Sequence, residues 1–340
     1  MSGTIAMSAL TSLHGLVSAA AAAPIATPAA TPGDDSIWGR LFSFSDYGDL
    51  LSLVHNSIVA AAVLGIVGGL IGVFVMQRDM AFAVHGISEL SFAGAAGALL
   101  LGLNVVAGSL VGSLIAAIMI GLLGAKARDR NSIIGVLMPF GLGLGILFLA
   151  LYPGRSANKF GLLTGQIVSV DDPQLFWLIG ISIVVLIGLL LMWRPLTFDS
   201  LDPDVAAARG VPGRFVSLAF MVLLGLMVAV SVQIIGALLV LALLVTPAAA
   251  ALRVSSSPVL VPVLSMLFGF VSAVGGVLLA LGGSLPISPY ITTISFLIYL
   301  VCRIIGPRQQ RRRTEPGRVG RVGPSGIGSA GAERPLATRR

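Results

Sequence analysis

The chain has 340 residues, of which 56% are hydrophobic and only 10% charged, with a formal net charge of +7. Its mean hydropathy of +1.00 is far above that of a soluble domain and marks an all-α polytopic membrane protein. The single cysteine, Cys302, excludes an intrachain disulfide and a cysteine metal cluster. The basic excess gathers after Pro307, so it gives no argument for a nucleic-acid partner.

Residues 1–50 are rich in Ala, Pro, Thr and Ser, with no Lys or Arg before Arg40. They lack the basic start of a secretory signal and read as a disordered leader and outer segment. Residues 51–306 form the expected membrane domain. Nine apolar stretches reach the roughly 20 residues needed to cross a bilayer. They lie near 52–76, 81–102, 104–124, 132–152, 174–193, 215–232, 234–252, 258–281 and 288–305. The 104–124 and 234–252 spans come from splitting long runs, so counts of eight and ten stay open. Residues 307–340 are Gly, Pro and Arg rich and read as a disordered cytoplasmic tail.

Lys and Arg set the expected orientation. With the N-terminus outside, Arg78, Lys126, Arg128, Arg130, Arg194, Arg209, Arg214, Arg253 and the tail fall inside. The outer loops then hold Arg40, Arg155 and Lys159 against Asp34, Asp35, Asp46, Asp49, Asp171 and Asp172. The expectation is N-out and C-in.

The second span, MAFAVHGISELSFAGAAGALLLG, carries His85 and Glu89, the only ionisable side chains between Met80 and Lys126. A charge at bilayer depth costs about 2.5–3.5 kcal/mol on insertion scales, so such groups are functional candidates by default. At i and i+4 they share one helix face. An imidazole beside a carboxylate is half a site for a transition-metal ion. The bland alternative is an internal ion pair or hydrogen bond that fixes helix packing. His14 lies in the leader. His55 with Asn56, at the mouth of the first span, reads either as an outer metal contact or as a helix-end histidine at the interface.

Two segments interrupt the pattern of spans. Phe160 to Val170 is semi-apolar but too short to cross. In GGSLPISPY, Pro286 and Pro289 break the backbone near membrane depth, which is tolerated only inside protein or beside a cavity. Between them in the chain, RPLTFDSLDPDVAAARGVPGR carries a short helix with clear signals. Asp202 caps it, Pro203 opens it, Ala206 to Ala208 propagate it and Gly210 ends it. Asp204 and Arg209 suit its dipole. It reads as a partner-docking element or as an ordinary surface helix. No GxxxxGK[ST], GxSxG or HExxH sequence occurs, and the only lysines are Lys126 and Lys159. If transport is ATP-driven, the motor is therefore a separate subunit.

Four stretches together resemble the permease subunits of the bacterial ABC importers for zinc, manganese and iron. They are Arg78-Asp79-Met80-Ala81-Phe82 leading into the His85/Glu89 helix; GVLMPFGLGLGILFLALYPG followed by FGLLTGQIVSVDDPQ; LDPDVAAARGVP; and IIGALLVLALLVTPAAAALRV. Together they cover roughly residues 52–306. The last stretch and LDPDVAAARGVP are the most specific. The resemblance implies a homodimer, a separate ATP-binding cassette ATPase and an extracellular metal-binding protein. It makes His85 and Glu89 metal contacts on the path. It makes Asp202, Pro203, Asp204, Ala207, Arg209 and Gly210 the coupling helix seated in the ATPase. The cargo is a divalent metal ion and no cofactor is held permanently.

Two departures stand out. Where the family commonly has Asp and then His, this chain has His85 and then Glu89. Near Pro286 the family often has an acid and a glycine, and this chain has Ser284 and Ser288. Two copies of the His85/Glu89 pair supply four ligands, which suits tetrahedral zinc. Manganese prefers more oxygen, so zinc is favoured, with manganese and iron as alternatives. Gly86, Ser88, Ser91, Gly94 and Gly97 would let the partner helix approach. Two rival readings remain. One is a proton- or cation-coupled secondary transporter with His85/Glu89 as a relay, which needs no ATPase. The other is a non-transporting scaffold, which needs no intramembrane Glu.

Overall fold

The structure is a computed structural model that describes residues 54–124, 127–154, 170–281 and 287–314. The leader, most of the Phe160–Val170 piece, Pro286 and the tail beyond 314 lie outside the described residues. Ten helices follow in order: α1 His55–Gln77, α2 Ala81–Leu100, α3 Val105–Leu123, α4 Ala127–Leu151, α5 Asp172–Leu201, α6 Pro203–Ala208, α7 Gly213–Ile235, α8 Ala237–Val254, α9 Leu260–Leu281 and α10 Ile287–Thr314. All except α6 are long and apolar enough to cross a membrane, giving nine spans among the described residues.

The long run at 215–252 divides at one residue. Gly236 adopts φ +81° between α7 and α8, a conformation that a residue with a Cβ rarely takes. α5 runs on to Leu201, past the span end expected near 193. Pro195 lies inside it and removes one helical hydrogen bond. Packing offsets that loss: Trp193 meets Phe74 edge-on at 5.1 Å and Leu196 is fully buried. α10 continues to Thr314, beyond the tail boundary at 307, through Gln and Arg residues that propagate helix well. Pro289 sits in its first turn.

Helices close by backbone contact at small residues, as packing between lipid-embedded helices requires. α1 lies along α9 and α8. A Cβ on Gly65 would strike the backbone of Gly269, and one on Gly269 would strike Gly65. Ser265 donates to the Gly69 carbonyl at 2.6 Å. α2 lies between α3 and α4, with Gly94 against Gly108 and Gly112. Ser91 and Ser109 share a hydrogen bond of 2.7 Å, and Ser109 donates to the Ala229 carbonyl of α7 at 3.0 Å. These buried hydroxyls join α2, α3 and α7 in the core. α1 and α2 are the most buried spans and α5 the least.

Candidate metal path and ATPase-facing junction

α2 forms because Ala, Leu and small residues fill it, and it starts directly from a three-residue turn, Arg78-Asp79-Met80. Its centre is pinned to α4. The missing side chain of Gly141 leaves room for the backbone of Glu89, and Gly86 lies against Ile134. Gly97 faces the Phe148 ring. Gly86 and Gly97 thus meet α4, and Gly94 meets α3, all within one chain. Ser88 is fully buried and donates to the His85 carbonyl at 2.8 Å.

The structure brings His85 and Glu89 to ion-pair range without a hydrogen bond between them. Nε2 of His85 and Oε1 of Glu89 are 3.7 Å apart, too long for a hydrogen bond. The Glu89 side chain is 4% exposed and that of His85 is 26% exposed. Nδ1 of His85 and Oε2 of Glu89 are buried with no hydrogen-bond partner. Buried polar atoms of this kind are costly and rare. Two donors held about 2.1 Å from an ion at the tetrahedral angle stand about 3.4 Å apart, so an ion fits between Nε2 and Oε1 after a small adjustment. Among the described residues, no group of three or more His, Cys, Asp or Glu side chains converges on a common point. One chain therefore offers two side-chain donors here, open to its surface through His85.

At the outer mouth expected for α1, His55 is exposed. Asn56 donates to Asp172 at 2.7 Å and to the Val170 carbonyl at 3.3 Å, tying α1 to the start of α5.

At the opposite end, α6 stands where its local signals put it. Asp202 accepts from the Val205 amide at 3.0 Å. The helix ends in a Schellman turn, with the Val211 amide on the Ala206 carbonyl and Gly210 at φ +78°. Ala206 is fully buried, while Asp202, Pro203, Asp204, Ala207, Arg209 and Gly210 are exposed. A cavity of about 1000 Å³ opens beside it, lined among others by Arg78, Arg130, Asp199, Pro203, Gly213 and Arg214. Sequence reasoning did not single out Asp199. It forms an ion pair of 2.8 Å with Arg78, with side chains 11% and 9% exposed. The one signal in sequence is an acid just past the end of an apolar run.

A protein-family model for the ABC 3 transport family matches residues 51–306. The chain belongs to the ABC 3 transport family. It is a permease of the ABC metal-importer type and a multi-pass cell-membrane protein. It is 29% identical over 261 residues to the manganese import system permease protein ScaB of Streptococcus parasanguinis, covering 76% of this chain and 93% of that one. To the manganese transport system membrane protein MntC of Halalkalibacterium halodurans it is 28% identical, covering 76% and 89%. Among solved structures it resembles PsaBC from Streptococcus pneumoniae in complex with Fab. The TM-score is 0.71 at 29% identity, covering 80% of this chain and all of that one. An inward-facing putative metal-chelate type ABC transporter shares the fold, with a TM-score of 0.60 at 18% identity, covering 74% and 87%.

Proposed function

We propose that this permease carries a divalent metal ion inward along a path touched by His85 and Glu89, driven by a separate ATPase seated on α6. The carrying observation is the pair at bilayer depth, with buried, unpartnered Nδ1 and Oε2. At 3.7 Å the pair is within ion-pair range but too long for a hydrogen bond, which leaves room for an ion between the two donors. A proton relay would not account for the capped, exposed α6, which supports the ATP-driven reading over a coupled secondary transporter.

The pair is half of a four-ligand site, and a second copy of the chain would supply the other half. His85 opens to the surface of the protomer, as a path between two subunits requires. An extracellular metal-binding protein would deliver the ion at the end marked by His55 and Asp172. Arg78, Arg130 and Arg214 gather around the junction cavity, which supports a cytoplasmic face at that end and an N-out orientation.

The donor set suits zinc, but manganese stands in the printed names of both relatives, and we place manganese first and zinc second as cargo. The test is uptake of radiolabelled manganese and zinc into proteoliposomes holding the permease with its ATPase and binding protein. ATP-dependent uptake that is lost in His85→Ala and Glu89→Gln complexes of normal assembly supports the path. Normal uptake in both variants removes it. Uptake of zinc alone reverses only the cargo order.

A further inference from the structure

We infer that Arg78 and Asp199 form a latch that makes the ATPase-facing helix α6 and the metal-pair helix α2 move as one body. The inference rests on the reading of α6 as the ATPase contact. Asp199 occupies the last turn of α5, directly before α6. Arg78 occupies the turn directly before α2. Nη1 of Arg78 reaches Oδ2 of Asp199 at 2.8 Å and the Ser200 hydroxyl at 3.3 Å. The pair is nearly excluded from water, so the attraction is screened far less than at a surface.

Each end of the latch is stiffly mounted. On the α2 side, the turn is a Schellman motif, with the Met80 amide on the Val75 carbonyl and the Asp79 amide on the Met76 carbonyl. Asp79 takes φ +50° there, and no loop intervenes before α2. Arg130 of α4 donates to the Arg78 carbonyl at 3.2 Å. The Arg78 guanidinium lies 5.8 Å from the Phe220 ring centre of α7. On the α6 side, Ser200 donates to the Leu196 carbonyl at 2.6 Å. A Cβ on Gly213 would stand 2.8 Å from Oδ1 of Asp199. The carboxylate therefore sits at the joint of α5, α6 and α7.

From Arg78 the lever to the metal pair is short. His85 lies about one turn into α2 and Glu89 one turn further. A displacement of α6 by a bound nucleotide reaches Asp199 through three residues, crosses the ion pair to Arg78, and tilts the start of α2. Helix shifts of about 1–2 Å are the usual currency of such transitions, and a shift of that size carries both donors of the 3.7 Å pair together relative to whatever faces them across the path. Arg78 and Asp199 are positioning residues; neither needs to touch the ion.

The test compares wild type with Asp199→Asn and Gly213→Ala, each in the permease–ATPase complex with metal-loaded binding protein. Asn keeps the shape and removes the charge. Ala at 213 keeps both charges and crowds the carboxylate. Two quantities are read: ions delivered per ATP hydrolysed, and backbone hydrogen exchange of α6 and of residues 78–89, with and without vanadate-trapped nucleotide. In wild type, trapping is expected to change exchange in both segments. In the variants α6 still responds, residues 78–89 do not, and ions per ATP fall about 10-fold. The latch is overturned if residues 78–89 respond in the variants as in wild type, if they never respond in wild type, or if uptake and hydrolysis fall in proportion. A wild type that delivers neither manganese nor zinc refutes the cargo reading, while the exchange readout still decides the latch.

Discussion

Two ionic pairs on α2 and its approach are built in opposite ways. Arg78 and Asp199 meet at 2.8 Å and take further partners in Ser200, Phe220 and the Arg130-bound turn. His85 and Glu89 stop at 3.7 Å, each with a buried polar atom unpartnered. Both pairs bear the same desolvation cost in kind. The first recovers more of it within the chain, through its 2.8 Å contact and its added partners, although Nε of Arg78 is itself buried without a hydrogen-bond partner. A closed pair holds the fold, whereas the open one is the pair we propose as the contact for an incoming ion.

The comparison breaks most sharply at Arg78. Arg78→Ala leaves the Asp199 carboxylate buried and unpaired, and should lower stability in detergent by about 3 kcal/mol. Thermal unfolding of the purified permease measures this. His85→Ala and Glu89→Gln should act mainly on uptake. Folded stability should change less than in Arg78→Ala, because the 3.7 Å contact is too long for a hydrogen bond. Uptake should fall by at least the roughly 10–100-fold that losing even an outer partner of a metal ligand costs. A large stability loss in these two variants would make the pair structural.

A third substitution acts on the frame that carries both pairs. Gly65→Ala places a Cβ against the Gly269 backbone, where α1 and α9 cannot relax by rotating a side chain. The expected loss is about 1–3 kcal/mol. The same change at Gly135, which has nothing within 4 Å, should be neutral or mildly stabilising. Equal effects at the two glycines would refute backbone packing as the source of the loss.

Hydropathy alone made nine spans readable, since a bilayer demands length and apolarity of each helix separately. The His85/Glu89 pair was readable because charge is rare at that depth and i, i+4 spacing is local. What stayed hidden was long-range. Arg78 and Asp199 are separated by 121 positions, and Gly65 and Gly269 face each other across four-fifths of the membrane domain. Neither pairing leaves a periodic trace. The run of α5 beyond Arg194 was hidden too, because a proline and a charge look like a span end unless the packing of Trp193 and Leu196 is known.

The smallest expected effect concerns α6, whose form is wholly local. Asp202→Ala removes the acceptor for the Val205 amide and should cost about 1 kcal/mol of local helix stability. Six residues are too few to sustain a helix without that cap. Global unfolding should hardly change, since only Ala206 of the helix is buried. Hydrogen exchange at residues 203–209 should rise, and affinity for the ATPase should fall with it if α6 is the docking element. Asp202→Asn, which keeps a capping oxygen, should restore both. If exchange rises and ATPase affinity does not change, the helix is an ordinary surface turn, and the latch behind it has nothing to transmit.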